Sequence, residues 1–306
     1  MKVLVLYHAP CMDGLFAAVA AYKVFGNDAE YIGVSYNDEL GREAFIDRDV
    51  YMVDFSTDRE SLLDIARYAH NVIIIDHHVS AQKALSELPR FELHNAASLM
   101  NALRESRELL GVNVAVHFDM TQSGAALSWR HFIGTEDLPW LIARVQDRDL
   151  WKFELEGSRE LHEWLSLIHK DRTLAEWLRE VSALEDNVHA RLDALKKGSI
   201  LLAYQYARIH ELADKAEEGL IFGIPAMIVN APGYMASDLG NHLCIRHPDH
   251  VAVIYQTNSK LTNVSLRSSS TGPDVSKIAS TMGGGGHMHA AGFKTDAVVG
   301  FPFSMK

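Results

Sequence analysis

Short apolar runs alternate with amphipathic stretches along the N-terminal half of the chain, which is the pattern of βαβ units. The alternation predicts strands at Val3–Tyr7, Asp49–Phe55 and Val72–Ile75, and helices at Leu15–Phe25 and Arg59–Ala69. The run Val72–Ile75 consists only of β-branched residues, which is typical of a strand buried on both faces of a parallel sheet. We therefore predict an α/β fold in which helices cover both faces of a parallel sheet.

The pattern changes to helical in the middle of the chain and returns to strands near the C-terminus. Helices are predicted at Ser123–Phe132 and Pro139–Gln146, and helical spacing continues from Ser158 to about Ala216. Ala183–Glu218 is expected to form one long helix between two domains, and strands are expected at Ile221–Val229, Val251–Gln256 and Asn263–Arg267. The predicted organisation is a first domain at 1–182, a helical linker at 183–218 and a smaller α/β domain at 219–306.

Composition narrows the class of protein. Hydrophobic residues are 48% of the chain and charged residues 23%, as in ordinary soluble proteins. The formal net charge of −11 provides no basic field for long duplex DNA. Because there are only two cysteines, a disulfide framework is excluded and a cytoplasmic location is expected. No apolar stretch is long enough to span a membrane, so no membrane association is predicted.

Acids and histidines follow the predicted strands. The candidates are His8, Asp13, Asp54, Asp76, His77, His78, Asp147 and Asp149. Because the carboxyl ends of parallel strands meet at one edge of a sheet, these groups can converge there. Carboxylates combined with imidazoles suit Mn²⁺, Fe²⁺ or Zn²⁺, and two such ions about 3.5–4 Å apart form a hydrolytic site. The alternative is that each acid only forms a turn or caps a helix.

A second cluster lies near the C-terminus, where four glycines at 283–286 precede His287, Met288 and His289. Glycines allow backbone amides to approach an anion closely, and a histidine can bond to phosphate oxygens. Arg267, at the end of a predicted strand, can make bidentate contacts to a phosphate. The alternatives are a flexible glycine loop and a solvated surface arginine.

Two motifs resemble those of a known family. Asp76-His77-His78 resembles the namesake motif of the DHH phosphoesterases, and Gly284–His287 with Ala290–Gly292 resembles the hallmark of their DHH-associated domain. The motifs stand about 200 residues apart in the family's order. The family includes RecJ exonucleases, nanoRNases, cyclic-dinucleotide phosphodiesterases and proteins labelled exopolyphosphatases. The resemblance implies an N-terminal DHH domain, a C-terminal DHH-associated domain and an active site in the cleft between them.

The resemblance also implies roles for individual residues. Metal ligands would be His8, Asp13, Asp54, His77 and Asp147, with Asp54 bridging two ions and Asp149 a weaker candidate. Asp76 would orient His77, and His78 would face the substrate phosphate, which makes Asp76 and His78 the expected catalytic pair. Arg267, Gly284, Gly285, Gly286 and His287 would bind the substrate phosphate.

The chain departs from the family pattern at one position. Many members carry Asp-x-Asp-Gly in the first motif, whereas this chain has Cys11-Met12-Asp13-Gly14. Two Mn²⁺ ions per subunit are implied, with Zn²⁺, Fe²⁺ or Mg²⁺ as alternatives. A Cys11 thiolate would favour a softer ion such as Zn²⁺ or Fe²⁺, and the other option is a first metal held by His8, Asp54 and water alone.

The predicted function is the hydrolysis of short oligonucleotides, such as dinucleotides, to 5′-mononucleotides. The alternatives are an exopolyphosphatase or pyrophosphatase activity, and a non-catalytic nucleotide-binding module. The expected partner is a short oligonucleotide or another small phosphate ester, and a homodimer is left open.

Overall fold

The computed structural model describes residues 2–35, 38, 40–169, 172–258, 260–296 and 303–305, the last of these for the backbone only. The chain divides into two compact units, Met1–Leu202 and Ala203–Lys306. This division falls inside one helix, Val188–Ala213. The functional boundaries at 182/183 and 218/219 stay predictions.

The first unit is built around a parallel sheet. Its strands are β1 (Lys2–His8), β2 (Ala29–Val34), β3 (Arg48–Val53), β4 (Asn71–Asp76) and β5 (Val114–Phe118). They are ordered β2-β1-β3-β4-β5, and every neighbouring pair is parallel. The α/β prediction is confirmed, while β2 and β5 are strands that the hydrophobic pattern did not reveal.

Helices cover both faces of this sheet because successive strand residues point to opposite sides. Ile74 packs in one cluster with Leu62, whereas Ile73 and Ile75 pack in another with Ala17. The helices are α1 (Met12–Phe25), α2 (Arg59–Ala66), α3 (Val79–Ala84), α4 (Ala96–Leu110), α5 (Gly124–Ile133), α6 (Trp140–Asp149), α7 (Ser158–Ile168), α8 (Leu174–Asp186) and α9 (Val188–Ala213). The predicted two-sided covering is therefore confirmed.

The predicted helix Ala183–Glu218 is wrong in its bounds. Asn187 separates α8 from α9, with φ −128° and ψ 103°, so the chain is not helical there. The Asn187 side chain accepts the backbone N–H groups of His189 and Ala190, which caps the start of α9. Asparagine side chains compete with helical hydrogen bonds in this way, and this is why the helix is interrupted.

The second unit contains a mixed sheet. Its strands are β6 (Glu217–Ile221), β7 (Ile224–Asn230), β8 (Val251–Thr257), β9 (Leu261–Arg267), β10 (Gly285–His287), β11 (Ala290–Asp296) and β12 (Phe303–Met305), with helices α10 (Ala236–Arg246) and α11 (Val275–Thr281). The order is β10-β11-β9-β8-β7-β6-β12, with only β7 and β8 parallel among the described pairs. The predicted strand Ile221–Val229 is in fact a hairpin that turns at Phe222 and Gly223, both of positive φ.

Among the helices that the structure describes, none combines the length and the hydropathy needed to cross a membrane.

Candidate metal centre

Three adjacent strands of the first sheet end in potential ligands. β1 ends at His8, Asp54 follows β3 directly, and His77 follows β4. Asp54 takes a left-handed conformation with φ 51°, while its N–H donates to the carbonyl oxygen of Ile75 at 3.0 Å. A left-handed aspartate stores backbone strain, which persists only where the surroundings fix it. The sheet edge therefore holds Asp54 in a turn that aims its side chain at the neighbouring strand ends.

Three carboxylates converge on one imidazole nitrogen. His77 Nε2 lies 3.1 Å from Asp54 Oδ1, 3.6 Å from Asp13 Oδ2 and 3.6 Å from Asp149 Oδ2. Asp13, Asp54 and His77 are buried, whereas the side chain of Asp149 is 26% exposed. One donor atom each from Asp13, His77 and Asp149 lie within 4.8 Å of one another, which is the proximity that a shared cation requires.

The N-terminus of α5 fixes the position of Asp13. Its carboxylate accepts the backbone N–H of Gly124 at 2.6 Å and that of Ala125 at 3.0 Å. The unpaired amides and the positive end of the helix dipole stabilise an anion there. A Cβ on Gly124 would lie 2.4 Å from Asp54 Cβ, so only glycine lets α5 approach both carboxylates.

A second donor group shares Asp54 with the first. His8, Cys11 and Asp54 also place one nitrogen, one sulfur and one oxygen within 4.8 Å of one another. His8 Nδ1 lies 3.7 Å from Asp54 Oδ2, while Asp54 Oδ1 faces His77. Asp54 therefore stands between the two groups, with one oxygen directed to each.

Excess negative charge governs the electrostatics of these residues. Burial raises the pKa of Asp13, and the charges of Asp149 and Asp54 add to the increase. Burial opposes ionisation of Asp54, but the bond from His77 and the nearby His8 imidazole, 3.7 Å from Oδ2, outweigh it and lower its pKa. Burial also lowers the pKa of His77, yet its bond to Asp54 and the nearby acids raise that pKa to about 10.

The same acids act on Cys11. Burial, followed by the charges of Asp54, Asp149 and Asp13, raises the pKa of this thiol well above its ordinary value. Without a cation the thiol therefore keeps its proton. A bound divalent cation is the largest local charge, and it lowers the pKa of the thiol, because a coordinating thiol is deprotonated outright.

The donor set fits a divalent metal. Asp54 Oδ2 is buried, and within the described residues it has no hydrogen-bond partner. A buried carboxylate oxygen left unpaired is costly unless a cation compensates it. Three carboxylates with His77 and His8 are the donor types that Mn²⁺, Fe²⁺ and Zn²⁺ accept.

Of the two acids at the end of α6, Asp149 rather than Asp147 joins this cluster. The carboxylate of Asp147 is buried and accepts bonds from Glu154 N, Leu155 N and Ser158 Oγ at 2.9, 3.2 and 2.6 Å. It therefore holds the loop between α6 and α7. The ranking of Asp147 above Asp149 as a ligand is corrected by this geometry, because residues two apart on a helix point in different directions.

Asp76 contacts the imidazole of His78, not that of His77. Asp76 Oδ1 accepts the bond from His78 Nδ1 at 2.7 Å and the backbone N–H of His77, also at 2.7 Å. Burial lowers the pKa of His78, but the bond and the charge of Asp76 exceed that effect and raise it. The expectation that Asp76 orients the His77 ring is therefore corrected: Asp76 fixes the His78 ring and the backbone between the two.

The glycine-rich segment of the second unit is a hairpin rather than a loop. β10 pairs with β11, so that Gly285 faces Gly292, Gly286 faces Ala291 and His287 faces Ala290. A Cβ on Gly284 would lie 2.1 Å from a backbone oxygen, and one on Gly286 would lie 2.5 Å from another, whereas a Cβ on Gly285 would meet nothing within 4 Å. Two of these glycines are therefore required by packing.

Arg267 lies beside this hairpin. It is opposite Ala290 of β11, and Ala290 is opposite His287 of β10, so one strand separates Arg267 from His287. Its Nη1 donates to the carbonyl oxygen of Leu266 and its Nη2 to Ser237 Oγ, both at 2.9 Å. These bonds fix the guanidinium on the side of the sheet that carries α10.

The comparisons with known proteins show what the fold is. The DHH domain of a protein assigned to a family of ribosomal proteins matches with a TM-score of 0.58 and 13% identity, covering 96% of this chain and 82% of that one. The chain has the DHH-domain fold. The predicted resemblance is thus confirmed at the level of the fold. His8 ends a strand of this sheet, and Asp54 and His77 each directly follow one.

Two further proteins are similar to this chain. RecJ from Thermus thermophilus, in complex with Mn²⁺, matches with a TM-score of 0.49 and 14% identity over 96% of this chain and 49% of that one. An uncharacterised protein of Acanthamoeba polyphaga mimivirus is 26% identical over 317 residues, covering 98% of this chain and 69% of the relative. No protein-family model matches the sequence.

The structure adds glycines to the functional residues of the DHH unit. Gly124 makes room for Asp54, and a Cβ on Gly14 would lie 2.1 Å from the carbonyl oxygen of His8. The available signal was a glycine directly after Asp13 and another directly after the capping Ser123. A glycine in the first turn of a helix indicates a close approach of another segment to the backbone.

Proposed function

We propose that this protein is a metal-dependent phosphoesterase that hydrolyses short oligonucleotides to 5′-mononucleotides. The observation that carries the proposal is the position of Asp54. Its two oxygens face two donor groups, one containing His8 and the other containing His77, and Oδ2 lacks a hydrogen-bond partner within the described residues. Such a carboxylate can bridge two divalent ions.

The residues divide between two proposed metal positions. His8 and Asp54 belong to the first, and Asp13, His77 and Asp149 belong to the second, which Asp54 shares. We infer two divalent ions, with Mn²⁺ foremost among those that this donor set accepts. When bound, such ions activate water and neutralise the charge that develops on a phosphate during hydrolysis.

We assign His78 to the substrate phosphate. Its Nδ1 is held by Asp76, which fixes the ring and favours the imidazolium form. A charged imidazole is a stronger hydrogen-bond donor to a phosphate oxygen than a neutral one. Asp76 is the positioning residue in this pair, and His78 is the catalytic residue.

The second unit has candidate phosphate-binding groups of its own. Arg267 has a guanidinium fixed by Ser237 and Leu266, and His287 lies in the same row of the sheet, one strand beyond β11. A fixed guanidinium loses little entropy on binding, and its planar fork matches phosphate oxygens. The Gly285 backbone is open on its Cβ side, so an anion can approach its amide. Gly284 directly precedes this strand, and Gly286 lies within it.

The net charge of −11 favours a short substrate. Each phosphate of a long nucleic acid needs a positive partner, and this chain has an excess of acids. A dinucleotide needs only a few such contacts, which His78 and two metal ions could provide.

The test is a comparison of substrates and of two aspartate variants. The purified full chain with Mn²⁺ is assayed on a 5′-phosphorylated RNA dinucleotide, a longer RNA and polyphosphate. We expect the dinucleotide to be hydrolysed fastest, and Asp54→Asn to lower the rate on the order of 10³-fold. Asp58→Asn is the matched control, because Asp58 caps α2 and asparagine caps equally well. Wild-type turnover by Asp54→Asn, or equal turnover in excess chelator, would contradict the proposal.

A further inference from the structure

The loop between β1 and α1 brings a thiol into the proposed centre. His8 ends β1, Cys11 precedes α1, and one donor atom from each lies within 4.8 Å of an Asp54 oxygen. The close approach depends on Gly14, since any larger residue there would collide with the carbonyl oxygen of His8. The backbone therefore places a sulfur, a nitrogen and an oxygen around one point.

Helix capping does not explain the cysteine. Cys11 is the N-cap residue of α1, with extended φ −145° and ψ 140°, and its side chain makes no capping hydrogen bond. Serine, threonine, aspartate and asparagine are the side chains that stabilise this position. The carbonyl oxygen of Cys11 accepts Leu15 N at 3.0 Å, but any residue supplies that bond. The backbone N–H of Gly14 acts on Sγ, and a sulfur with one such donor still has a lone pair for a cation.

Asp54 gives an independent indication of a ligand at this point. It is 1% exposed, and its Oδ2, 3.7 Å from His8 Nδ1, has no hydrogen-bond partner in the described part of the chain. A buried oxygen of this kind, directed toward a nitrogen and a sulfur, requires a positive charge. A cation at this point satisfies it.

We propose that His8, Cys11 and Asp54 form a metal position that selects a thiophilic divalent ion, such as Zn²⁺ or Fe²⁺, over Mg²⁺. Three protein ligands with an open fourth position are the arrangement of catalytic zinc sites, and zinc accepts histidine, cysteine and aspartate donors. On binding, the thiol gives its proton to solvent and the sulfur bonds to the ion. This inference rests on the proposed function and specifies the metal of its first position.

The second position has a harder donor set. Asp13 and Asp149 contribute oxygens and His77 contributes a nitrogen, with no sulfur in the group. Oxygen-rich sites suit Mn²⁺ and Mg²⁺ better than thiolate sites do. The two positions of this chain therefore differ in preference, with Cys11 as the cause.

Cobalt is the probe that tests the inference. Co²⁺ is added to the metal-free full chain, and the sulfur-to-cobalt charge-transfer absorption in the near ultraviolet is recorded. We expect the band in wild type and its loss in Cys11→Asp and Cys11→Ser. Cys244→Ala is the matched control, because Cys244 is the other cysteine of the chain and lies buried in the core of the second unit. This control should keep the band.

Affinity provides a second measurement. Cys11→Asp should weaken Zn²⁺ binding on the order of 10–100-fold, as measured by competition with a zinc chelator dye, and should leave Mn²⁺ binding at the second position unchanged. In wild type, Zn²⁺ should slow alkylation of Cys11 by iodoacetamide at least about tenfold, whereas Mg²⁺ should not. The alkylation arm requires no variant, so it stands even if Cys11→Asp unfolds.

The outcomes separate the inference from the proposed function. Bound Co²⁺ without a sulfur band, or a band that disappears in Cys244→Ala and persists in Cys11→Ser, overturns the role of Cys11. If such a protein still hydrolyses the dinucleotide, the proposed function stands. A Cys11-dependent band in a protein that hydrolyses no phosphate ester supports the metal position and refutes the proposed substrate.

Discussion

Asp147 and Asp149 are two residues apart, and the structure predicts opposite consequences for replacing each by asparagine. Asp147 is 5% exposed and accepts bonds from two donors of the loop after α6 and one at the start of α7, whereas Asp149 faces His77. The first carboxylate stabilises the fold, and the second is available to a metal. Asp147→Asn and Asp149→Asn are therefore isosteric changes that distinguish a structural acid from a ligand.

The magnitude for Asp147 follows from its hydrogen bonds. Asparagine keeps one acceptor oxygen, and its NH₂ group must then face a donor of the loop. A bond to a charged group contributes about 1.5–3 kcal/mol, and a buried unpaired donor costs about 1–3 kcal/mol. We expect Asp147→Asn to lower the free energy of unfolding by about 2–4 kcal/mol, a Tm decrease of roughly 4–16 °C for a unit of this size.

Asp149→Asn should affect the stability of the metal-free chain differently. Burial, with a contribution from Asp54, raises the pKa of Asp149, although His77 acts in the opposite direction. The folded chain thus holds the Asp149 proton more tightly than the unfolded chain, and the ionised carboxylate weakens the metal-free fold above that pKa. Asp149→Asn should leave the Tm in chelator unchanged or raise it.

Thermal unfolding in the presence of metal should show that Asp149→Asn binds the ion more weakly. An ion present at 100 times its Kd stabilises wild type by about 2.7 kcal/mol. If the variant binds about 100-fold more weakly, the same concentration contributes only about 0.4 kcal/mol. The assay is thermal unfolding of both variants in chelator and in Mn²⁺, with dinucleotide hydrolysis in parallel. The reasoning would be refuted by the reverse result. In that case Asp149→Asn would keep full activity, whereas Asp147→Asn would keep the wild-type Tm in chelator and lose its stabilisation by Mn²⁺.

Three other predictions concern the site and its surroundings. Gly124→Ala should reduce hydrolysis about 10²-fold, since the added Cβ displaces Asp54, and a kcat measurement on the folded variant checks it. Burial lowers the pKa of His131 to about 4, so about 2–3 kcal/mol of stability should be lost as the pH falls from 6.5 to 4; urea unfolding at several pH values should show a flatter profile for His131→Phe. Gly285→Ala should keep the wild-type Tm and raise KM, whereas Gly284→Ala should lower the Tm; a destabilised Gly285→Ala would exclude the open approach to its amide.

The DHH motif and the strands before it could be located without coordinates. Val72–Ile75 has a composition that only a buried strand explains, and the structure places it at the centre of β4. The same reasoning placed His8 and Asp54 after neighbouring strands, because parallel strands end at one edge. β2 was missed because Ala29–Val34 contains polar and glycine positions, and β5 was missed although its length equals that of the predicted strand Val3–Tyr7.

The sequence by itself determined the α/β class, the strand ends and the presence of acids, imidazoles and a thiol near them. These follow from local periodicity, because side-chain direction along a strand has a fixed repeat. Only the tertiary structure decided that Asp149, rather than Asp147, meets His77, and that Asp76 holds the ring of His78. Those choices depend on helix rotation and on the close approach at Gly124, which arise from packing between distant segments and leave no local pattern in the chain.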